Sequence, residues 1–86
     1  MVVKEVDDLD KAIKPDEGTL ELLNFFSYQH LEDPDLRQAS SACAELANGV
    51  AYNVPNGREK TAGMRKLLEA KDCFVRAVLA AKKKGG

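Results

Sequence analysis

Tryptophan is absent, and Phe and Tyr together number five in 86 residues, so the aromatic area that usually fills a small core is scarce. The hydrophobic fraction of 44% overstates what can be buried, because eleven of those residues are Ala. A thin single domain of this size gains from association, and homo-oligomerisation is the expectation. One His and no spaced set of Cys, His, Asp or Glu leave general acid–base, nucleophilic and metal chemistry without their usual residues. His30 accordingly reads as a loop or surface residue, and Ser40 and Ser41 as a polar pair on a helix. Neither a phosphate-cradling glycine loop nor a dinucleotide fingerprint is present, so no cofactor is expected and the protein reads as a non-enzyme. Cys43 and Cys73 have no CxxC context, and the turn expected near Pro55 sets Cys43 across from about Leu68. An intramolecular disulfide is therefore not expected, in keeping with a reducing compartment. No apolar run approaches the roughly 18–20 residues of a membrane span, and the acidic N-terminus lacks a signal-peptide layout. The expectation is a soluble, cytoplasmic protein without membrane contact.

Charge is present in quantity but unevenly placed. Residues 1–54 carry four Lys/Arg against eleven Asp/Glu, and residues 55–86 carry nine against three, which leaves a net charge of −1. The basic half suits either an anionic ligand or the acidic half of a neighbouring copy.

Three segments stand out in the apolar pattern, and nothing reads as a strand. Val2, Val6, Leu9 and Ile13 form a stripe that ends at Pro15 and Gly18, predicting a short N-terminal helix or an acidic arm over residues 1–18. Residues 19–86 form the second unit. It opens on the short apolar segment Leu20–Tyr28. Asp33-Pro34 then has the form of an N-cap followed by Pro at the first helical position. From there Leu36, Ala39, Cys43, Leu46 and Val50 repeat at 3, 4, 3, 4 as a heptad seam. Val54-Pro55-Asn56-Gly57 breaks that helix. A last helix is predicted from about Gly57 to Lys82, with Met64, Leu67, Leu68, Phe74, Val75, Val78 and Leu79 on one face and Lys71 set within the stripe. The closing Lys82–Gly86 reads as a frayed end. The expected architecture is all-α: an antiparallel helical hairpin with a short N-terminal helix or arm, assembled into a homo-oligomer.

The stretch Pro55-Asn-Gly-Arg-Glu-Lys-Thr61 is the most informative. Asn56 and Glu59 are spaced as a capping box, and the first turn that follows carries Arg58, Lys60 and Thr61. Two cations, a hydroxyl and the N–H groups of a helix start make either an anion seat or an ordinary solvated turn. Phe25, Phe26 and Tyr28 bunch before a helix start, where rings serve either as core anchors or as stacking surfaces for bases. Phe25 and Phe26 suit the first role, whereas Tyr28 has a hydroxyl that needs water or a polar partner. Duplex nucleic acid is a poor fit, because the cations form no long stripe and the acidic half would repel phosphates.

Asn24-Phe-Phe-Ser-Tyr28, Ala44-Glu-Leu-Ala47, Pro55-Asn-Gly-Arg-Glu-Lys-Thr61 and Leu67-Leu-Glu-Ala through Val78-Leu-Ala80, in that order, resemble the phage anti-CBASS cyclic-oligonucleotide sponges. Those proteins share a helical-hairpin domain with anti-Thoeris sponges, and the similarity runs from about Leu20 to Ala81. The resemblance implies an all-helical homohexamer in the cytoplasm of an infected bacterium. It would withhold cyclic dinucleotides such as cyclic GMP-AMP, and in some members cyclic trinucleotides, from host effectors without cleaving them. By motif, Tyr28 matches the family's base-stacking Tyr, and Arg58, Glu59, Lys60 and Thr61 match its Arg-Glu-Lys-Ser run. Gln29 stands where the family has His, and Arg37 lies one turn before the position of an expected cation near Ser40. The ligand-binding set on this reading is Tyr28 and Phe26 for stacking, Arg37, Arg58 and Lys60 for phosphate charge, and Thr61 as a hydrogen-bond donor. A reading from a different class is a helical-hairpin module for protein–protein interaction, motivated by the seam and the opposed charges.

Overall fold

A computed structural model describes residues 13–85. Among them are three helices and no strand: α1 (Glu17–Asn24), α2 (Pro34–Asn53) and α3 (Arg58–Gly85). The stripe of Val2, Val6 and Leu9 lies outside the described residues. No helix among them is long and apolar enough to cross a membrane.

Each helix begins for a local reason. Asp16 caps α1 by accepting from Thr19 N–H at 2.9 Å, so this helix starts inside the predicted N-terminal unit and crosses its boundary at residue 18. Asp33 caps α2 by accepting from Asp35 N–H at 2.9 Å, with Pro34 at the first helical position as the sequence predicts. The capping box predicted for α3 does not form. Gly57, with φ +155°, leads into the helix, and the Asn56 carboxamide is bonded elsewhere.

The first turn of α3 meets the last turn of α2, and the far part of α3 reaches the start of α2. Lys60 Nζ donates to Ala51 O at 2.8 Å, and Lys82 Nζ lies 3.3 Å from Asp33 and 2.9 Å from Asp35. The Ala51 contact has a specific cause. Its carbonyl would ordinarily accept from the N–H four residues on, but that residue is Pro55, which has none. Lys60 supplies the missing donor. The Lys82 contacts show that the predicted frayed end is helical and engaged at this residue.

The core is small. Phe26, Cys43, Ala44, Ala47 and Met64 form one buried cluster, with Leu22, Leu23, Tyr28, Val50, Leu67 and Leu68 packed partly against it. On α2 the buried side is Ser40, Cys43, Ala44, Ala47 and Ala51, which takes in Cys43 of the predicted heptad seam with Val50 partly buried against the core. Leu46, a seam residue, is 57% exposed. Small side chains on that side leave room for Phe26 and Met64, which pack with them in the cluster. Lys71 remains in the apolar stripe with its ammonium 3.1 Å from Asp72. Both cysteines are free thiols, Cys43 buried and Cys73 exposed. Burial raises the Cys43 pKa, with Lys71 opposing, so that thiol stays neutral.

Candidate functional site

Tyr28 sits in the connection between α1 and α2, in a turn closed by Leu31 N–H donating to Tyr28 O at 3.0 Å. Gln29 folds back over the same turn. Its Oε1 accepts from Tyr28 N–H and from Ser27 Oγ, each at 3.2 Å. Tyr28 is half-buried, packed against the core cluster, and it borders two depressions. The larger, about 530 Å³, is lined by Tyr28, Glu32, Pro34, Arg37, Gln38, Ser41 and Glu45. The smaller, about 210 Å³, is edged by Asn24, Ser27, Gln29 and Asn48 with Leu23, Phe26 and Ala44 beneath. A flat heterocycle could lie against Tyr28 with polar groups of both depressions around it.

The electrostatics of the larger depression are mixed. Arg37 is exposed and forms no ion pair among the described residues, but Glu32 and Glu45 stand in the same wall. A phosphate there would meet one cation and two carboxylates. The nearby Asp33 carboxylate is engaged by Asp35 N–H and Lys82; burial works against its ionisation, and these partners outweigh it, holding its pKa below the ordinary value.

The expected site residues divide into two groups. Tyr28 and Arg37 are brought together. Arg58, Lys60 and Thr61 lie at the opposite end of α2, about 15 Å along its axis from Ser41 to Ala51 at 1.5 Å per residue. Phe26 and Lys60 have other occupations. The Phe26 ring is 1% exposed and has no face to offer a base in this fold. Lys60 is 5% exposed, and its ammonium donates to Ala51 O and to Asn56 Oδ1, both at 2.8 Å. Thr61 Oγ1 donates back to Gly57 O at 3.2 Å, which leaves its lone pairs as acceptors. Arg58, exposed at the start of α3, is the cation of this group that faces solvent.

Asn56 is the hub of the second group. Its Oδ1 also accepts from Asp16 N–H at 3.3 Å, and its Nδ2 donates to Lys14 O at 2.9 Å. With Ile13 N–H donating to Tyr52 O at 2.9 Å, these bonds tie the chain ahead of α1 to the α2–α3 junction. Asp16 is held below the ordinary carboxylate range, first by the Thr19 backbone N–H, with Lys60 contributing charge.

Gln38, Ser41, Glu45 and Asn48 line the Tyr28 depressions without having been singled out from sequence as ligand contacts. A signal for three of the lining residues exists: Arg37, Ser41 and Glu45 recur at i, i+4, i+8 from the Asp33-Pro34 start, placing them on one stripe of α2. No family model, curated protein or solved structure matches the chain.

Proposed function

We propose that this chain is a non-enzymatic sponge for cyclic oligonucleotides. It binds cyclic dinucleotides such as cyclic GMP-AMP, and cyclic trinucleotides as a second class, and it blocks CBASS effectors by withholding their signal. The place of action is the cytoplasm of a phage-infected bacterium. The observation that carries the reading is Tyr28, half-exposed between two polar-edged depressions with Arg37 in the wall of the larger. That is a base-stacking surface beside a cation, the minimum a nucleotide requires.

The two carboxylates in that wall bear on how the ligand is held. Phosphates need more cation than one Arg37 supplies, and Arg58 on the same chain is too far along α2. In this reading the antiparallel helical hairpin assembles as a homohexamer, and Arg58 and Thr61 reach the ligand from a neighbouring copy. Lys60 acts indirectly, by fixing the turn that presents them.

Calorimetric titration with a panel of cyclic di- and trinucleotides tests the reading, followed by denaturation and chromatography of the ligand. Tight binding with intact ligand recovered is the expected result. Tyr28→Ala removes one stacked base, worth about 1–3 kcal/mol, so affinity falls by roughly 5- to 150-fold with helicity retained. No heat with any ligand, or a cleaved product, sinks the sponge. One observation favours a second reading, a helical-hairpin interaction module: Leu46, Phe74 and Leu79 are 57%, 53% and 48% exposed. That module binds no nucleotide, and its association depends on Leu46.

A further inference from the structure

The larger Tyr28 depression holds two carboxylates where a phosphate site would hold cations. The acidic residues next in sequence are engaged, Asp33 and Asp35 both by Lys82. Glu32 and Glu45 are exposed and form no ion pair among the described residues, and Arg37 is in the same state. Along α2, Arg37, Ser41 and Glu45 follow at intervals of four, so a cation, a hydroxyl and a carboxylate stand in order on one stripe. The two ends of that stripe are about 12 Å apart at 1.5 Å per residue. Ser41 Oγ donates to Gln38 O at 3.1 Å, which leaves its lone pairs as acceptors. The stripe therefore offers donors at the Arg37 end and acceptors from Ser41 to Glu45. Glu32 belongs to the connection ahead of α2 and is not on it.

We propose that this stripe selects guanine: the base stacks on Tyr28, Glu45 accepts from its N1–H and 2-amino group, and Arg37 donates to O6 and N7. Tyr28 as the stacking surface is taken from the sponge reading, on which this assignment rests. Guanine separates its polar atoms in the way the stripe requires. O6 and N7 are neighbouring acceptors, and N1–H and the 2-amino group are neighbouring donors. A guanidinium presents a fork of donors and a carboxylate two acceptors, so each can take its pair two bonds at a time. Adenine alternates instead, with acceptors at N7 and N1 on either side of a 6-amino donor. Each charged group would then meet one matched and one opposed atom. Neither pyrimidine has two neighbouring donor groups.

A phosphate in the same place would set one cation against two carboxylates, whereas a neutral base with donors on one edge turns Glu45 from an obstacle into a partner. The phosphates then lie outside this wall, toward the Arg58 that the sponge reading brings from a neighbouring copy. The depression, about 530 Å³, is within the range of small-ligand sites. One bidentate pair separates the right base from the wrong one by about 5- to 150-fold. Arg37 and Glu45 are exposed, so water serves a mismatched group and the lower part of that range applies.

Calorimetry of the full chain with cyclic di-GMP and cyclic di-AMP tests the assignment, because each ligand presents one kind of base. Cyclic di-GMP is expected to bind at least about 5-fold more tightly. Glu45→Gln replaces two acceptors with one acceptor and one donor, the pattern adenine matches. It is expected to abolish or reverse the guanine preference, with helicity by circular dichroism unchanged because Glu45 is exposed on α2. If Glu45 only opposes phosphate charge, Glu45→Gln tightens both ligands alike and their ratio stays as in the wild type. That result overturns the proposal, and so does a wild type that binds both equally or prefers cyclic di-AMP; each leaves the sponge standing. Glu32→Gln is expected to keep the preference, and loss of it there overturns the assignment to Glu45. No heat with either ligand overturns the guanine site. No heat with the whole panel of cyclic di- and trinucleotides overturns the sponge as well.

Discussion

Lys60→Met separates a structural ammonium from a ligand-facing one. The Met side chain keeps most of the buried stem but removes both donated bonds, to Ala51 O and Asn56 Oδ1. Hydrogen bonds to charged groups contribute about 1.5–3 kcal/mol each. A cation at the C-terminal end of a helix adds about 0.3–1 kcal/mol. Against these stands the several kcal/mol it costs to desolvate an ammonium, which the Met variant no longer incurs. The Ala51 carbonyl decides the balance. Ala51 is 0% exposed and Pro55 cannot donate to it, so the variant leaves a buried acceptor unpaired at a cost of about 1–3 kcal/mol. The net loss is therefore about 2–4 kcal/mol, out of roughly 4–13 kcal/mol for a domain of this length. At about 4–8 °C per kcal/mol for a small domain, the midpoint should fall by roughly 8–32 °C. Thermal melts followed by circular dichroism at one protomer concentration measure this, since association would shift the midpoint. A change under about 0.5 kcal/mol, the range of ordinary surface substitutions, would refute the structural assignment. Lost nucleotide affinity at an unchanged midpoint would return Lys60 to the ligand.

Phe26→Ala is expected to lower stability by about 3–5 kcal/mol, enough to leave a marginal fold, because its ring is 1% exposed in the main cluster. A urea melt that matches the wild type, with nucleotide affinity lost, would instead place the ring at a ligand. Acid should destabilise the fold through Asp16 and Asp33, whose pKa values are both held down in the folded chain. A depressed folded pKa gives stability that is complete above the unfolded value and lost as pH falls through the folded one. The melting midpoint should thus decline below the ordinary carboxylate value of 3.8, and Asp16→Asn should shrink that decline. A midpoint unchanged through that window in the wild type contradicts both cap assignments.

The two long helices are legible because their signals are local, whereas α1 (Glu17–Asn24) reads in sequence only as a short apolar segment beside a predicted boundary at residue 18. Asp33-Pro34 starts α2, and Val54 through Gly57 ends it, as the residue types require. What sequence did not show was the use made of polar groups by distant chain. Asn56 has the spacing of a capping residue, but Lys14 and Asp16 arrive from 42 and 40 positions away and engage its carboxamide first. Lys60 reads as a first-turn surface cation until Pro55 and the Ala51 carbonyl stand beside it. The heptad seam misleads for a related reason. Periodicity reports that a side of a helix is apolar, but not which of two apolar sides receives a neighbour. The stripe Ser40, Cys43, Ala44, Ala47, Ala51 looks weak in sequence because its residues are small, and smallness is what allows close packing.

That division bears on how a thin domain can both fold and bind. The large apolar side chains are split between a core that takes Phe26 and Met64 and an outer side that displays Leu46 and Phe74. Folding one chain uses the first set and leaves the second in water. Tyr28 belongs to neither set. It packs partly buried against the core while its backbone N–H donates to Gln29 Oε1. A partly packed ring loses less freedom on stacking than a free one, and that is where a small protein gains affinity that buried area alone does not supply.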